Sequence, residues 1–465
     1  MADLNIQPNA LFTADNLYVL NGMNSACIDL IYLDPPFNSK RLYKAPVGSK
    51  AAGAAFEDMW SWKDVDSALM VRLSETHPFL VDYITAIERI HSKAMMAYIA
   101  YMAQRLFEMH RVLKPTGSIY LHCDPTAAHY LKVIMDRIFG AKNFRNEIVW
   151  KRRFETHNLA KKHFGRIQDR LLFYTSDEAK FKKAFLPYDE EYIGKNYKHE
   201  DARGKYATFP CTNETGGNTP YVFRGVERAW RFQKSRMEQM YRDNLLVQNK
   251  PGGPFRYKKY LKDTDGVPVQ DIWADIPAVR GNEDTGYPTQ KPLALLDRII
   301  KASSNEGDVV FDPFCGCATT CVAAQRLRRR WIGIDLSPKT EEMIRERLAD
   351  DVGALFNDFT HYSTLPGRND VKGMAKMEAK PQLYGEQEGH CAGCKEHFEA
   401  RHLEVDHIIP SSKGGGDFYA NYQLLCGNCN RIKGNRPMEY LVKAIEARKA
   451  KRAVFGATPS SLREG

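Results

Sequence analysis

Residues 28–37 read IDLIYLDPPF. The first six are almost all apolar and do not alternate with polar residues. A short unbroken apolar run is the pattern of a strand covered on both faces. The two prolines end it, because proline has no N–H for a sheet ladder and holds φ near one value. A strand covered on both faces needs helices above and below. The chain is therefore expected to fold as an α/β protein around a largely parallel sheet.

The same grammar recurs along the chain. HRVLKPTGSIYLHCD (110–124) reads as a helix end, a turn and a strand, followed by a helical stretch at 126–139. NEIVW (146–150) and RLLFYT (170–175) read as two more strands. From about 178 to 285 the texture changes to mixed Gly, Pro, aromatic and basic residues with little periodicity, an inserted loop-rich region. Regular character returns with YPTQKPLALLDRIIKASS, a turn and an amphipathic helix from 287. DVVFDPFCGCATT (308–320) follows as strand, glycine loop and helix start, then the strand RRWIGIDLSP and the helix 339–348. The expected division is one large domain over 1–365 containing the insertion 178–285, a polar linker 366–387, a compact Cys/His domain 388–440 and a basic helical tail 441–465.

The 465 residues carry 67 Lys and Arg against 57 Asp and Glu, a net charge of +10, which suits a polyanionic partner. The longest apolar stretch, 95–107, is too short for a membrane span and repeats at helical spacing, so no membrane association is expected. The N-terminus lacks the basic-then-apolar pattern of a signal peptide, and a reducing cytoplasm is the expected location. Six of the ten cysteines are scattered; the other four form the pairs Cys391/Cys394 and Cys426/Cys429. Scattered cysteines read as packing groups, and paired ones as metal ligands. Four thiolates at this spacing suit one closed, structural zinc ion.

Asp34, Pro35, Pro36 and Phe37 form a stiff loop at the carboxyl end of a buried strand, where α/β folds place their ligand crevices. The Asp34 carboxylate and the Pro35 carbonyl can together accept both hydrogens of an exocyclic amino group. Phe37 can stack on a base, an interaction worth roughly 1–3 kcal/mol. In the second loop Gly316 permits close backbone approach, and Asp335, about twenty residues on, suits two ribose hydroxyls.

Taken together and in this order, the motifs resemble the β class of S-adenosylmethionine-dependent DNA amino-methyltransferases over roughly residues 10–350. The resemblance implies a Rossmann-like sheet with an inserted target-recognition region. It implies Asp34–Phe37 as the catalytic loop and Asp312, Phe314, Gly316 and Thr319 around the methionine end of the cofactor. Asp335 falls on its ribose and Asp15 near its adenine. Lys291 and Pro292 match the segment that precedes the glycine loop, although Lys291 also reads as a surface lysine. Asp at the first loop position resembles adenine-N6 enzymes, with cytosine-N4 as the alternative. In-line transfer needs no protein nucleophile, so Cys315, Cys317 and Cys321 read as packing residues. Ala318 departs from the glycine common in the family loop; its methyl group would crowd the cofactor or require a helical backbone. In the insertion, Trp230, Arg231 and Lys250 are residue types that either read bases or hold phosphates.

LEVDHIIPSSKGGGDFYANYQLLCGNCNRIKG lies between and across the two cysteine pairs and resembles the HNH endonucleases with their small ββα-metal core. The resemblance places Asp406 and His407 at a strand end, Asn421 at the middle position and Asn430 at the last. His407 is the general base for water. Asp406 and Asn430 hold Mg²⁺ or Mn²⁺ at the scissile phosphate. Asn421 orients His407 or ties down its loop, and Lys433 sits on phosphate or in solvent. The expected whole is a DNA adenine-N6 methyltransferase joined to an endonuclease in a restriction–modification or phage-defence role, acting on double-stranded DNA. A homodimer and further defence-system subunits are compatible with it. The alternative is a methyltransferase whose HNH module only binds DNA.

Overall fold

The computed structural model describes residues 3–38, 41–46, 48–65, 70, 73–74, 77–152, 164–213, 219–353, 358–436 and 438–455. The last ten residues of the expected tail lie outside them.

Nine strands form the main sheet: β1 (Ala10–Thr13), β2 (Ile28–Leu33), β3 (Leu113–Cys123), β4 (Phe144–Lys151), β5 (Gln168–Thr175), β6 (Ile272–Trp273), β7 (Val309–Asp312), β8 (Arg330–Asp335) and β9 (Thr360–Tyr362). Their order is β6-β4-β5-β3-β2-β7-β8-β1-β9. Every neighbouring pair is parallel except the two that involve β5. The α/β reading is borne out. The unbroken apolar runs lie in the middle of the sheet, where both faces are covered: β2 is buried but for Asp29, and β7 is buried throughout.

The helix α1 (Asn16–Gly22) follows β1, and Asp15 caps it by accepting from the Leu17 N–H. Two helices, α2 (Pro78–Ile90) and α3 (Lys93–Val112), lead into β3. Ser92 caps α3. Fourteen of the twenty residues of α3 are buried, as expected of the apolar stretch 95–107. Arg105 is buried on this helix because polar partners meet it. It donates to Asp15 Oδ1 at 2.7 Å and Asn16 Oδ1 at 2.6 Å, and its guanidinium lies 3.3 Å from the Tyr101 ring centre. Asn16 in turn donates to the Pro313 carbonyl at 2.7 Å. One buried arginine thus ties the helix layer to the loops after β1 and β7.

Residues 183–270 separate as a compact unit of their own. They carry a four-stranded antiparallel sheet and a core that includes Cys211, Phe223, Trp230, Met237 and Phe255. The region is better ordered than its texture implied, because its aromatics pack on one another instead of following one period. Trp230 is corrected accordingly. It is 1% exposed and donates its indole N–H to the Tyr221 carbonyl, so it holds the core together and cannot meet a base. Arg231 and Lys250 are exposed.

A second hydrophobic core lies in the C-terminal module, around the antiparallel pair β10 (Leu403–His407) and β11 (Tyr422–Cys426). The interval 366–387, expected to be a linker, contains the helix α4 (Lys376–Glu386), and its Ala379 and Leu383 are buried in this core. The polar residues between those two hid the short apolar stripe. No helix among the described residues is long and apolar enough to cross a membrane.

Candidate active site and metal centre

The loops after β1, β2, β7 and β8 open at the same end of the sheet and line a cleft of about 790 Å³. Asp15, Asp34–Phe37, Lys291, Asp312, Phe314, Gly316, Thr319 and Asp335 all line it. Pro292 stands next to it as the N-cap of the helix Leu293–Ser303. Lys291 is not a surface lysine. Its ammonium is buried and forms an ion pair and hydrogen bond with Asp34 Oδ2. The other Asp34 oxygen, Oδ1, is buried and has no hydrogen-bond partner among the described residues. A buried acceptor without a donor is costly unless something that binds there supplies one.

The glycine loop is held from two sides. Asp312 accepts from the Phe314 N–H at 3.0 Å and from the Thr320 hydroxyl at 2.5 Å. Asp335 accepts from the N–H groups of Gly316 and Ser337, each at 2.8 Å. Gly316 has φ +52, and a Cβ there would stand 3.1 Å from the Tyr287 ring. Thr319 lines the cleft but donates nothing to Asp312; its Oγ1 accepts from Arg347 at 2.9 Å. Burial pushes the Asp312 carboxyl up to about 7, and it also raises Asp335. Several carboxylates in one partly desolvated cleft suit a ligand that carries positive charge and hydroxyl donors, and S-adenosylmethionine has both. The residues fit that group.

Phe37 stacks against His122, with ring centres 6.1 Å apart. His122 is fully buried between the Tyr32 hydroxyl at 3.0 Å and Asp169 at 3.3 Å. Neither His122 nor Arg105 was expected in this role. The available signal was a polar residue inside an otherwise apolar run.

In the C-terminal module, β10, β11 and the helix Gly427–Lys433 make a ββα unit. The Sγ atoms of Cys391, Cys394, Cys426 and Cys429 all lie within 4.8 Å of one another. One tetrahedral zinc ion with bonds of ~2.3 Å needs sulfurs ~3.8 Å apart. The Cys426 N–H already donates to Cys391 Sγ at 3.2 Å. His407 Nε2 lies 2.7 Å from Asp417 Oδ1, which also accepts from the Tyr422 hydroxyl. Sequence reasoning missed Asp417, since nine residues of Gly-rich loop separate it from His407.

No hydrogen bond among the described residues joins the Asn421 side chain to His407. That side chain ties the loop, exchanging hydrogen bonds with Ile409 and donating to the Gly416 carbonyl. Lys433 sits neither on a free phosphate-facing surface nor in solvent. It is fully buried, donates to the His407 carbonyl and pairs with Asp406 at 2.8 Å. No hydrogen bond among the described residues joins Asp406 to Asn430, whose amide donates to Glu404 Oε2 at 2.5 Å.

The DNA methylase family model matches residues 28–346, and the HNH endonuclease model matches residues 391–436. The chain belongs to the DNA methylase family. It is 28% identical over 355 residues to the type II methyltransferase M.EcaI of Enterobacter cloacae, covering 74% of this chain and 70% of that protein. It is 30% identical over 254 residues to the DNA adenine methyltransferase YhdJ of Escherichia coli, covering 54% of this chain and 67% of that protein. Among solved structures, the PvuII cytosine-N4-specific DNA methyltransferase aligns with 77% of this chain and 98% of its own, at 13% identity and a TM-score of 0.36. Across the first three curated relatives, the methylase spans from 50% to 70% of their length.

In the methylase, Ala318 does not behave as its methyl group suggested. It is buried but does not line the cleft, and its backbone is left-handed, with φ 62 and ψ 31, not α-helical. The cost is conformational, about 1–2 kcal/mol for an L-residue. Ala318→Gly is expected to raise the thermal midpoint of the methylase domain by roughly 1 °C, after the entropy of the added glycine is subtracted. A scanning calorimeter measures this, and a lowered midpoint would refute it.

The Asp312 carboxyl yields a second expectation. A folded pKa above the unfolded value means that the empty protein loses stability as pH rises from about 4 through about 7. A cation in the cleft prefers the carboxylate. Affinity for a positively charged methyl donor should therefore rise with pH through about 7, and Asp312→Asn should flatten that rise. Calorimetric titration across this range tests both statements.

Proposed function

We propose that this chain methylates the N6 position of adenine in double-stranded DNA with S-adenosylmethionine, and that its HNH module cuts DNA. The observation that carries the first half is the unpartnered, buried Asp34 Oδ1 in a loop whose Asp34 and Pro35 both line the cleft. Two acceptors there suit the two hydrogens of an amino group. When bound, the donor supplies an activated methyl group. Asp312, Phe314, Gly316 and Thr319 would hold its methionine end, Asp335 its ribose and Asp15 its adenine. Lys291 fixes the Asp34 carboxylate through Oδ2 and leaves Oδ1 free. Phe37 gives the flipped base a stacking surface. The unit over 183–270, with exposed Arg231 and Lys250, supplies target recognition. Adenine is favoured over cytosine by Asp at the first loop position and by the kinship with an adenine methyltransferase.

In the HNH module, His407 takes a proton from water that attacks the phosphodiester, and Asp417 holds its ring. Asp406 and the Asn430 carbonyl would hold the divalent cation, Mg²⁺ or Mn²⁺, and the four cysteines one zinc ion. Lys433 already neutralises much of the Asp406 charge, so the cation is expected to bind weakly. Mark and cut then follow from one recognition event in a restriction–modification or defence setting.

The test uses one DNA pool, unmethylated and premethylated, with Mg²⁺ or Mn²⁺, wild type and His407→Ala. Cutting by wild type alone establishes the nuclease. Cutting by neither protein, from a preparation that holds zinc and methylates DNA, favours an HNH module that only binds DNA. Mass spectrometry of the digested DNA distinguishes N6-methyladenine from N4-methylcytosine.

A further inference from the structure

The methyl-donor cleft contains one residue that the methylase domain does not supply. Lys413, from the HNH module, lines it together with Tyr18 of α1. The Lys413 ammonium stands 5.1 Å from the Tyr18 ring centre, and its side chain is half-buried. No carboxylate among the described residues pairs with it.

The position of Lys413 is built from both sides. The turn that carries it is closed by Lys413 N–H to the Pro410 carbonyl at 2.8 Å and Gly415 N–H to the same carbonyl at 3.1 Å. The next residue, Gly414, has φ +80, and a Cβ there would stand 2.2 Å from the Tyr18 carbonyl oxygen, so only glycine lets the turn reach α1. At the other end of α1, a Cβ on Gly22 would stand 1.9 Å from the Pro366 carbonyl oxygen. The chain beyond Pro366 is pinned to the methylase domain. Asp370 accepts from the Ser25 N–H at 2.7 Å, and Asn369 and Asn24 exchange hydrogen bonds. One end of α1, the helix that Asp15 caps, therefore meets the HNH module itself, and the other end holds the segment that leads to it. The same short loop then reaches Asp417, which holds His407 Nε2 at 2.7 Å.

We infer that Lys413 is a ligand-binding residue of the methyl-donor cleft, delivered by the HNH module, and that donor binding orders the loop that holds His407. This rests on the cleft being the donor site. A lysine with three donors beside an aromatic ring suits an acceptor nitrogen of a bound purine. A contact made by one module to a ligand on the other links the two reciprocally: donor occupancy favours the docked loop, and the docked loop favours donor occupancy. The arrangement would couple readiness to cut with readiness to methylate.

The test uses the full chain. Binding of S-adenosylmethionine is measured by calorimetry for wild type, Lys413→Ala and Lys413→Arg, and hydrogen exchange is followed over residues 408–420 with and without the donor. Lys413→Ala should weaken binding about tenfold, the loss of one hydrogen bond from a charged donor, whereas Lys413→Arg should keep most of it. The donor should slow exchange in the loop of the wild type and not in Lys413→Ala. Tight wild-type binding with unchanged affinity in Lys413→Ala, and exchange indifferent to the donor, would overturn the inference alone. No binding by the wild type would overturn the donor-site reading and the inference with it.

Discussion

Asp34→Asn should lower methyl transfer by at least ~10²-fold while binding of the methyl donor changes by only a few-fold. The two carboxylate oxygens have different partners: Oδ2 faces the buried Lys291 ammonium, and Oδ1 has no donor among the described residues. In the asparagine variant the amide oxygen must face the ammonium, because the alternative sets two donors against each other. The amide nitrogen then occupies the place of Oδ1. A donor now meets the amino group of the base, so the attraction that draws out the nitrogen lone pair becomes a repulsion. Asparagine is the informative substitution because it keeps the volume and leaves Lys291 an acceptor. Alanine would strand a buried ammonium, at a cost of about 3–5 kcal/mol, and confuse catalysis with folding. Transfer of a labelled methyl group to DNA measures the effect. Activity within about threefold of wild type would mean that Asp34 does not touch the reacting base.

The second large effect concerns the cysteine cluster. Cys426→Ser, or removal of metal by a strong chelator, should unfold the HNH module, since a structural zinc ion can supply about 10–16 kcal/mol to a small domain. That module's core is small, and Cys391, Cys426 and Cys429 are themselves part of it. The methylase domain has its own large core and should stay folded. Metal analysis should find one zinc per wild-type chain. Proteolysis of the variant should begin within 388–440 and leave the methylase domain intact. Cleavage of DNA should be lost, and methylation at saturating donor should persist. An unchanged proteolytic pattern in a metal-free variant would remove zinc from the account.

The sequence by itself determined most of the order along the chain. The unbroken apolar run 28–33 announces a buried strand, and the Pro-Pro and glycine loops announce strand ends, because proline fixes the backbone locally and glycine opens conformations closed to other residues. The two Cys-x-x-Cys pairs were legible for the same reason: ligand spacing is a local property. Tertiary structure decided the pairings between distant residues. Arg105 with Asp15 and Asn16, Lys291 with Asp34, His122 with Asp169, and His407 with Asp417 each join side chains from different elements. Their meeting depends on sheet order and loop course, which no local pattern encodes. Trp230 and Lys433 were misread for a related reason. Their residue types suit DNA contact, and only packing shows that both are buried. Ala318 needed the backbone itself, since a left-handed φ leaves no trace in an alanine's identity. The placement of Lys413 at the donor cleft depends on how two modules dock, the most distant relation of all and the one that only the folded chain reveals.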